Sequence, residues 1–502
     1  MLFLHLISKN EVSKYNFDTE MEFTMNDIGY DLILNKAIKR KVKILSVVQE
    51  SLYPIYLKKI SKICNFSLKT IQNDIKNILE DMPNLIRLVN DNDTISIEQS
   101  SYNDEITNHI NEVIKDNPLF HIIESNFYGI KKDAVHYADE LYISESSLKT
   151  YLQTLKTVLN EYNLSLSYSP VTIYGPEINM RYFYFQYFRY AHKETAPVVK
   201  NEHYYLVSNT IKQMRNEFGS VLNIDYYRML SWLFIFEERI KQKCFLKISN
   251  AVKENFMHKH SYLNFKMVVF DYFKDIGLSD FLTEDELFFA YITRLDTLIY
   301  EDDKPFISDD LFEFFNNFEK MVLAFLIQSK LPVSLNFKLK DTLQAYLTNV
   351  TVLSQLSPFF QKHPSRLKNI VEKKHPEVLK IWLNILNNES KFEYPYDMAL
   401  NLTLLSVTKL FSRKKILFML TGEPVSITYY KNLALNCVPK NMEVTFLFNT
   451  PLTDDLLEQT EIDLCVYNFN TEQKLSSTKL FRLSDIPLES DWNKLSNILN
   501  HI

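Results

Sequence analysis

From Ser144 onward the chain sets Ser146, Ser147, Lys149, Thr150, Gln153 and Lys156 among Leu148, Leu152 and Leu155, with the leucines three or four residues apart. Leucines at that interval share one helical face, so the hydroxyl, amide and ammonium groups are carried away from it. Such groups exchange hydrogen bonds and neutralise anionic oxygens, which is the chemistry of docking on a duplex. Ser144 suits an N-cap, and Ala138, Leu141 and Ile143 before it predict a first short helix and a tight turn. A helix-turn-helix is the expectation. A second set lies upstream: Leu57, Ile60 and Ile63 predict one helix, Cys64-Asn65-Phe66 the turn, Ser67 the cap, and Ile71, Ile75 and Leu79 the next helix. Its outer face carries Lys69, Thr70, Gln72, Asn73 and Lys76. Lys69, Lys76, Lys149 and Lys156 suit phosphates, and Gln72, Asn73 and Gln153 suit base edges, although ordinary solvated helices would show the same polar faces.

These helices need elements to hold them. Leu164 to Tyr168 alternates at the strand period, Ser169-Pro170 marks a turn, and Val171 to Tyr174 supplies a second strand ending at Gly175-Pro176. A hairpin directly after such a helix is a wing. Leu85 to Val89 and Thr94 to Ile97, separated by Asn90 to Asp93, predict the same feature behind the upstream pair. Residues 1–31 form a lead with no clear element, 32–99 a first winged helix-turn-helix and 100–177 a second, with a Ser-, Asn- and Asp-rich linker near Gln99 to Glu105.

The stretch Ser169-Pro-Val-Thr-Ile-Tyr-Gly-Pro-Glu-Ile-Asn-Met-Arg-Tyr-Phe-Tyr-Phe-Gln-Tyr-Phe188 resembles the wing and following helix of the Mga/AtxA-type transcriptional regulators of Gram-positive bacteria. The shared pattern runs from Pro-x-x-Ile-x-Gly to Arg-Tyr-Phe and Gln-Tyr-Phe. The resemblance covers most of the chain in domain order and reaches motif level only in the second head. It implies tandem DNA-binding heads, two phosphotransferase-system (PTS) regulation domains in which histidines receive phosphate, and an EIIB-like carboxyl-terminal domain.

Composition bounds the alternatives. A chain of 502 residues exceeds one core, and 46% hydrophobic residues rule out wholesale disorder, while 6 Gly against 36 Phe and 30 Tyr favour helices with aromatic packing. Neither GxGxxG nor GxxxxGK[ST] occurs, nor a nucleophile elbow or HExxH, so no enzyme and no cofactor is expected. Cys64, Cys244, Cys437 and Cys465 lie far apart, as in a reducing cytoplasm. His258 and His260, two apart, do not share a helix face, so no metal is expected. No apolar run reaches the length of a membrane span. The net charge of -6 opposes nucleic-acid binding taken alone. Between Lys36 and Glu80, however, Lys or Arg at 36, 39, 40, 41, 43, 58, 59, 62, 69 and 76 face acids only at 50, 74 and 80.

From Ile178 to Phe411 only helical periods appear, among them helices over Ser249 to His258 and Thr283 to Tyr300, interrupted by turn chemistry at Tyr300 to Pro305, so two helical bundles are expected, 178–300 and 301–411. Residues 412–502 alternate strands Lys415–Leu420, Glu443–Phe448 and Ile462–Tyr467 with helices over Pro424 to Leu435 and Leu452 to Thr460, a small parallel α/β sheet. The fold class is thus multidomain and mainly α. The family resemblance makes His203, then His363 and His375, the candidate phosphate acceptors, with PTS phosphocarriers as partners, a homodimer or higher oligomer as the assembly, and global or virulence genes as the targets. A working EIIB carries cysteine after its first strand; here Thr421-Gly422-Glu423-Pro424 stands there, which points to docking or dimerisation rather than phosphate relay. Double-stranded DNA is the leading partner, and a protein-binding signalling adaptor is the alternative.

Overall fold

The computed structural model describes residues 27–49, 54–81, 86–91, 94–99, 103–190, 201–218, 224–300, 316–329, 333–362, 367–387, 391–410, 414–439, 442–453, 456–457, 462–470 and 480–499. The lead expected over 1–31 therefore lies outside the described residues up to 26; helix α1 (Asp27–Asp31) follows. The chain divides into two units, residues 1–407 and 408–502. It is a mainly helical, multidomain protein with a small parallel sheet in its C-terminal region.

In the first unit α2 (Lys36–Gln49) precedes β1 (Ile55–Tyr56), α3 (Leu57–Cys64), α4 (Leu68–Asp81), β2 (Ile86–Asp91) and β3 (Thr94–Gln99). Strand β3 pairs antiparallel with both β1 and β2, so Ile97 stands opposite Ile55 on one side and Leu88 on the other. Then come α5 (Asn103–Ile114), α6 (Pro118–Phe127), α7 (Ala134–Glu140), α8 (Glu145–Asn160), the antiparallel hairpin of β4 (Ser165–Tyr168) with β5 (Val171–Tyr174), and α9 (Glu177–Tyr190). Helices α10 (Asn201–Phe218), α11 (Tyr226–Lys241), α12 (Asn250–Lys253), α13 (His260–Asp275) and α14 (Glu284–Thr293) follow, with Glu319–Ser329, Val333–Ser354, Lys368–Lys374, Pro376–Leu386 and Pro395–Leu410 beyond them.

Two helices differ from the sequence expectation. The one expected over 249–258 is a single turn, α12. The one expected over 283–300 stops at Thr293 and tightens into a 3-10 turn, Arg294–Thr297. There Thr297 Oγ1 donates to the Arg294 carbonyl at 2.7 Å, and Asp225 N donates to the Thr297 carbonyl at 2.8 Å. The bridge of Leu298 to Ile224 then draws the chain out straight.

One apolar core extends from Ile28 to Leu298 and takes in Val352, Leu353, Phe359 and Phe360; a second, from Phe318 to Leu402, is built around Trp382 stacked 4.3 Å from Phe325. Helix α9 explains the reach of the first. Its aromatic run is buried on nearly every side: Tyr184 and Phe188 meet Phe127 of α6 edge-on, and Phe185 lies 4.0 Å from Trp232 of α11 with their planes 6° apart. The run is packing, not a base-stacking platform.

The same helix carries a buried ion network. Arg181, with no exposed surface, donates to both carboxylate oxygens of Glu286 at 2.7 and 3.0 Å and to Glu177 at 3.0 Å, while Arg239 donates to Glu177 at 2.7 and 2.8 Å. Glu286 also accepts from Leu246 N at 2.7 Å.

In the second unit β6 (Lys415–Leu420), β7 (Glu443–Phe448), β8 (Leu464–Tyr467) and β9 (Leu480–Arg482) form a wholly parallel sheet of order β7-β6-β8-β9. Strand β6 is buried on both faces: Ile416, Phe418 and Leu420 meet Ala434, Trp492 and Leu495, and Leu417 and Met419 meet Leu452 and Cys465. That is why it reads as an unbroken apolar run. Helices Pro424–Cys437 and Glu489–Leu499 belong to this unit. The helix expected over 452–460 lies largely outside the described residues.

Replacing Arg181 by Met leaves the Glu286 carboxylate buried without its partner, and loss of one member of a buried pair costs about 3–5 kcal/mol. A marked fall in the denaturant midpoint of R181M, with Glu286→Gln in the same background recovering part of it, is the expected outcome of a urea titration.

Candidate nucleic-acid interface

The two turns that set the polar helices are built alike. After α3, Asn65 is left-handed (φ 58°), Asn65 N donates to the Lys62 carbonyl and Phe66 N to the Ser61 carbonyl at 3.1 Å. After α7, Tyr142 is left-handed (φ 54°), Tyr142 N donates to Asp139 and Ile143 N to Ala138 at 3.0 Å. This is the same paired closure of a helix C-terminus in both places. A serine then caps each following helix: Ser67 Oγ accepts from Thr70 N, and Ser144 Oγ from Ser147 N, both at 3.1 Å.

The buried and exposed positions separate as helical spacing requires. In α4, Ile71, Asp74, Ile75 and Ile78 are buried; Ser67, Lys69, Gln72, Asn73 and Lys76 are exposed and Thr70 is half-buried. In α8, Leu148, Leu152, Leu155, Val158 and Leu159 are buried; Ser144, Ser146, Lys149, Thr150 and Gln153 are exposed, with Ser147 and Lys156 half-buried. Thr150 Oγ1 donates to the Ser146 carbonyl at 3.1 Å, so its hydroxyl presents lone pairs outward. In the hairpin behind α8, the Tyr168 hydroxyl reaches Gln153 Oε1 at 3.4 Å and Ser169 Oγ donates to Asp133 at 2.9 Å. Gly175 ends this hairpin with φ +156°, and a Cβ there would sit 2.7 Å from Leu164 Cδ2, so the motif demands glycine.

Charge is less uniform than the sequence tally. Arg40 grips buried Asp74 in two hydrogen bonds of 2.7 and 3.0 Å, Lys41 pairs with Asp81 at 2.9 Å and Lys39 with Asp31 at 3.6 Å. These cations brace α2 against its neighbours. Lys58, Lys62 and Lys69 remain on the exposed surface, and Lys76 stands 3.7 Å from Glu80. Two side chains escaped the sequence reading. Tyr142, 96% exposed, projects from the second turn, and Arg40 positions α4; a tyrosine just before a serine cap, and an arginine in a basic run, give little hint of either role.

With this geometry in view, comparison decides the kinship of the second head. The family model described as "Mga helix-turn-helix domain" matches residues 102–188. That segment is similar to an Mga helix-turn-helix domain. A protein of Streptococcus pneumoniae serotype 4, named "Putative trans-acting regulator", is 24% identical over 204 residues; the match covers 40% of this chain and 41% of that relative. The Mga-type segment thus runs from the start of α5 to near the end of α9, taking in α7, α8, the wing and the aromatic run.

The candidate phosphate acceptors lie elsewhere. His203 on α10 is buried, its Nε2 2.8 Å from Glu237 Oε2 on α11. His375 is half-buried at the start of helix Pro376–Leu386, its carbonyl accepting from Leu379 N at 3.1 Å. His363 lies outside the described residues. Burial pushes the Glu237 carboxyl up, but hydrogen bonds from His203, Lys241 and Tyr272 outweigh it and hold the group at about 2. Among the described residues no His, Cys, Asp and Glu group suited to a metal occurs, and no helix is long and apolar enough to cross a membrane.

Two outcomes follow from this geometry. Arg40→Met should lower stability by about 2 kcal/mol, since a charged hydrogen-bond pair loses one partner, while Lys69→Met stays within about 0.5 kcal/mol; thermal unfolding separates them. A carboxyl depressed in the folded state stabilises above its unfolded value and loses that contribution as pH falls. Thermal stability should therefore decline between pH 4.5 and about 2, and Glu237→Gln should flatten that part of the profile.

Proposed function

We propose that the chain is a DNA-binding transcriptional regulator of the Mga type. The observation that carries this reading is the duplication of one arrangement: a helix closed by a left-handed residue, a serine-capped helix with an exposed polar face, and a hairpin behind it. The second copy falls inside the match to the Mga domain, and the first carries exposed lysines. In this reading the heads, 32–99 and 100–177, grip double-stranded DNA. Lys69, Lys76, Lys149 and Lys156 meet phosphates, while Ser67, Thr70, Gln72, Asn73, Ser144, Ser146, Ser147, Thr150 and Gln153 face the grooves.

The helical stretches 178–300 and 301–411 are then regulation domains and 412–502 an EIIB-like docking or dimerisation unit in a cytoplasmic homodimer. Phosphate on His203 would add negative charge beside Glu237 and so force α10 from α11, a local charge change with a packing consequence. The resemblance in domain order supports this part, with PTS phosphocarriers as the donors.

Titrating a labelled duplex at rising salt tests the proposal: log affinity should fall linearly with log salt, and Lys149→Ala should reduce the slope by about one. A chain that binds no duplex even at low salt, or one whose Lys69→Glu, Lys149→Glu double variant binds unchanged, defeats it.

A further inference from the structure

The C-terminal end of α8 is held by a lysine two hundred residues away in sequence. Lys362 Nζ donates to the carbonyl of Glu161, the residue that caps α8, at 3.3 Å. It lies among three rings, 4.8 Å from the centre of Phe359, 5.0 Å from Tyr394 and 5.5 Å from Tyr162. A helix C-terminus carries partial negative charge and unsatisfied carbonyls, so a cation there is favourable, and aromatic faces add to it.

The lysine is itself anchored. It follows the 3-10 turn Pro358–Gln361, in which Gln361 is buried and its Oε1 accepts from Glu393 N at 2.9 Å and Tyr394 N at 3.1 Å, fixing the ring-bearing loop. Phe359 stacks on Tyr182 of α9 at 5.6 Å, Phe360 meets Trp232 of α11 at 5.6 Å, and Ser357 Oγ lies 3.3 Å from Asn179 Oδ1. One hexapeptide therefore touches the end of α8, α9, α11 and the loop before helix Pro395–Leu410.

We infer that Lys362 is a positioning residue for DNA binding, a clasp through which the helical part of the chain sets the tilt of the second head's polar helix. The role at DNA rests on the proposed function; the clasp itself does not. Lys362 meets the backbone end of α8 rather than its exposed face, so it should alter affinity without contributing a phosphate contact. Any rearrangement that withdraws the 357–362 segment would release α8 from its C-terminal end, which gives regulation in the helical stretches a physical route to the head.

The test uses the full chain with Lys362→Met, which keeps length and packing but removes the charge, Lys362→Arg, which keeps the cation, and Lys149→Ala. Hydrogen exchange of the unbound protein reads the amides of residues 161–164. K362M should speed their exchange by about tenfold, in line with loss of one partly desolvated cation–π and cap contact, and K362R should restore it. With a random-sequence duplex as probe, K362M should bind several-fold more weakly at unchanged salt slope, whereas K149A lowers the slope by about one. Unchanged exchange in K362M overturns the clasp. A slope that falls in K362M as in K149A overturns the positioning role in favour of direct phosphate contact. If the wild-type chain binds no duplex, the DNA reading fails while the exchange arm still decides the clasp.

Discussion

The architecture of the first unit depends on α9, and within α9 on Arg181. A guanidinium with no exposed surface is tolerable only where its nitrogens find partners, and here each of the three does, through Glu286, Glu177 and the Cys244 carbonyl. Glu177 in turn is held by Arg239. The network fixes the rotation of α9 about its axis, because a small turn would strand two carboxylates. Fixing that rotation also fixes which ring of Tyr182 to Phe188 faces α6, α11 or the 359–360 turn, so the wing, two residues upstream of Glu177, inherits a defined exit direction.

A consequence is that the second head is not a bead on a string. Its α6 and the block helices α11 and α14 share one core through α9, so a displacement of α11 reaches α6 through packed rings. Interiors at native density pass displacement along rather than absorbing it. Glu237 of the buried pair with His203 sits on α11, and Arg239 of the ion network lies two residues further along the same helix. Charge added at that pair would therefore act on the element that also holds α9.

Much of this was legible in the sequence because it rests on local rules. The serine caps, the leucine and isoleucine spacings of α4 and α8, the wing ending at Gly175 and the apolar strand β6 each follow from a few neighbouring residues. What was not legible depends on partners remote in sequence. Arg40 reads as one more surface cation in its basic run, and its partner Asp74 stands 34 residues on. Buried Arg181 and half-buried Lys362 are charged residues whose neighbours are supplied by tertiary packing. The helix expected through 283–300 failed for a related reason: its last residues pair with Ile224 and Asp225, a constraint absent from their own periodicity. Strand β9 is three residues long, too short for any period to register.

The C-terminal unit shows the same division between local signal and remote partner. The sequence reveals that Thr421-Gly422-Glu423-Pro424 lacks a thiol; the structure adds what the loop does instead. Thr421 N donates to Asn468 Oδ1 at 2.7 Å and Gly422 N to Asn449 Oδ1 at 3.3 Å, while Asn468 Nδ2 returns hydrogen bonds to the carbonyls of Thr421 and Asp485. Backbone amides at the carboxyl end of a parallel strand, beside a helix start, are the usual donors to a bound phosphate. Here neutral carboxamides from the ends of β7 and β8 already accept from them, and Asn468 is buried. An incoming anion would have to displace Asn468 Oδ1 from its 2.7 Å bond to Thr421 N and leave a buried carboxamide oxygen without that donor. The loop is therefore better suited to tying β6, β7 and β8 together than to holding a phosphoryl group.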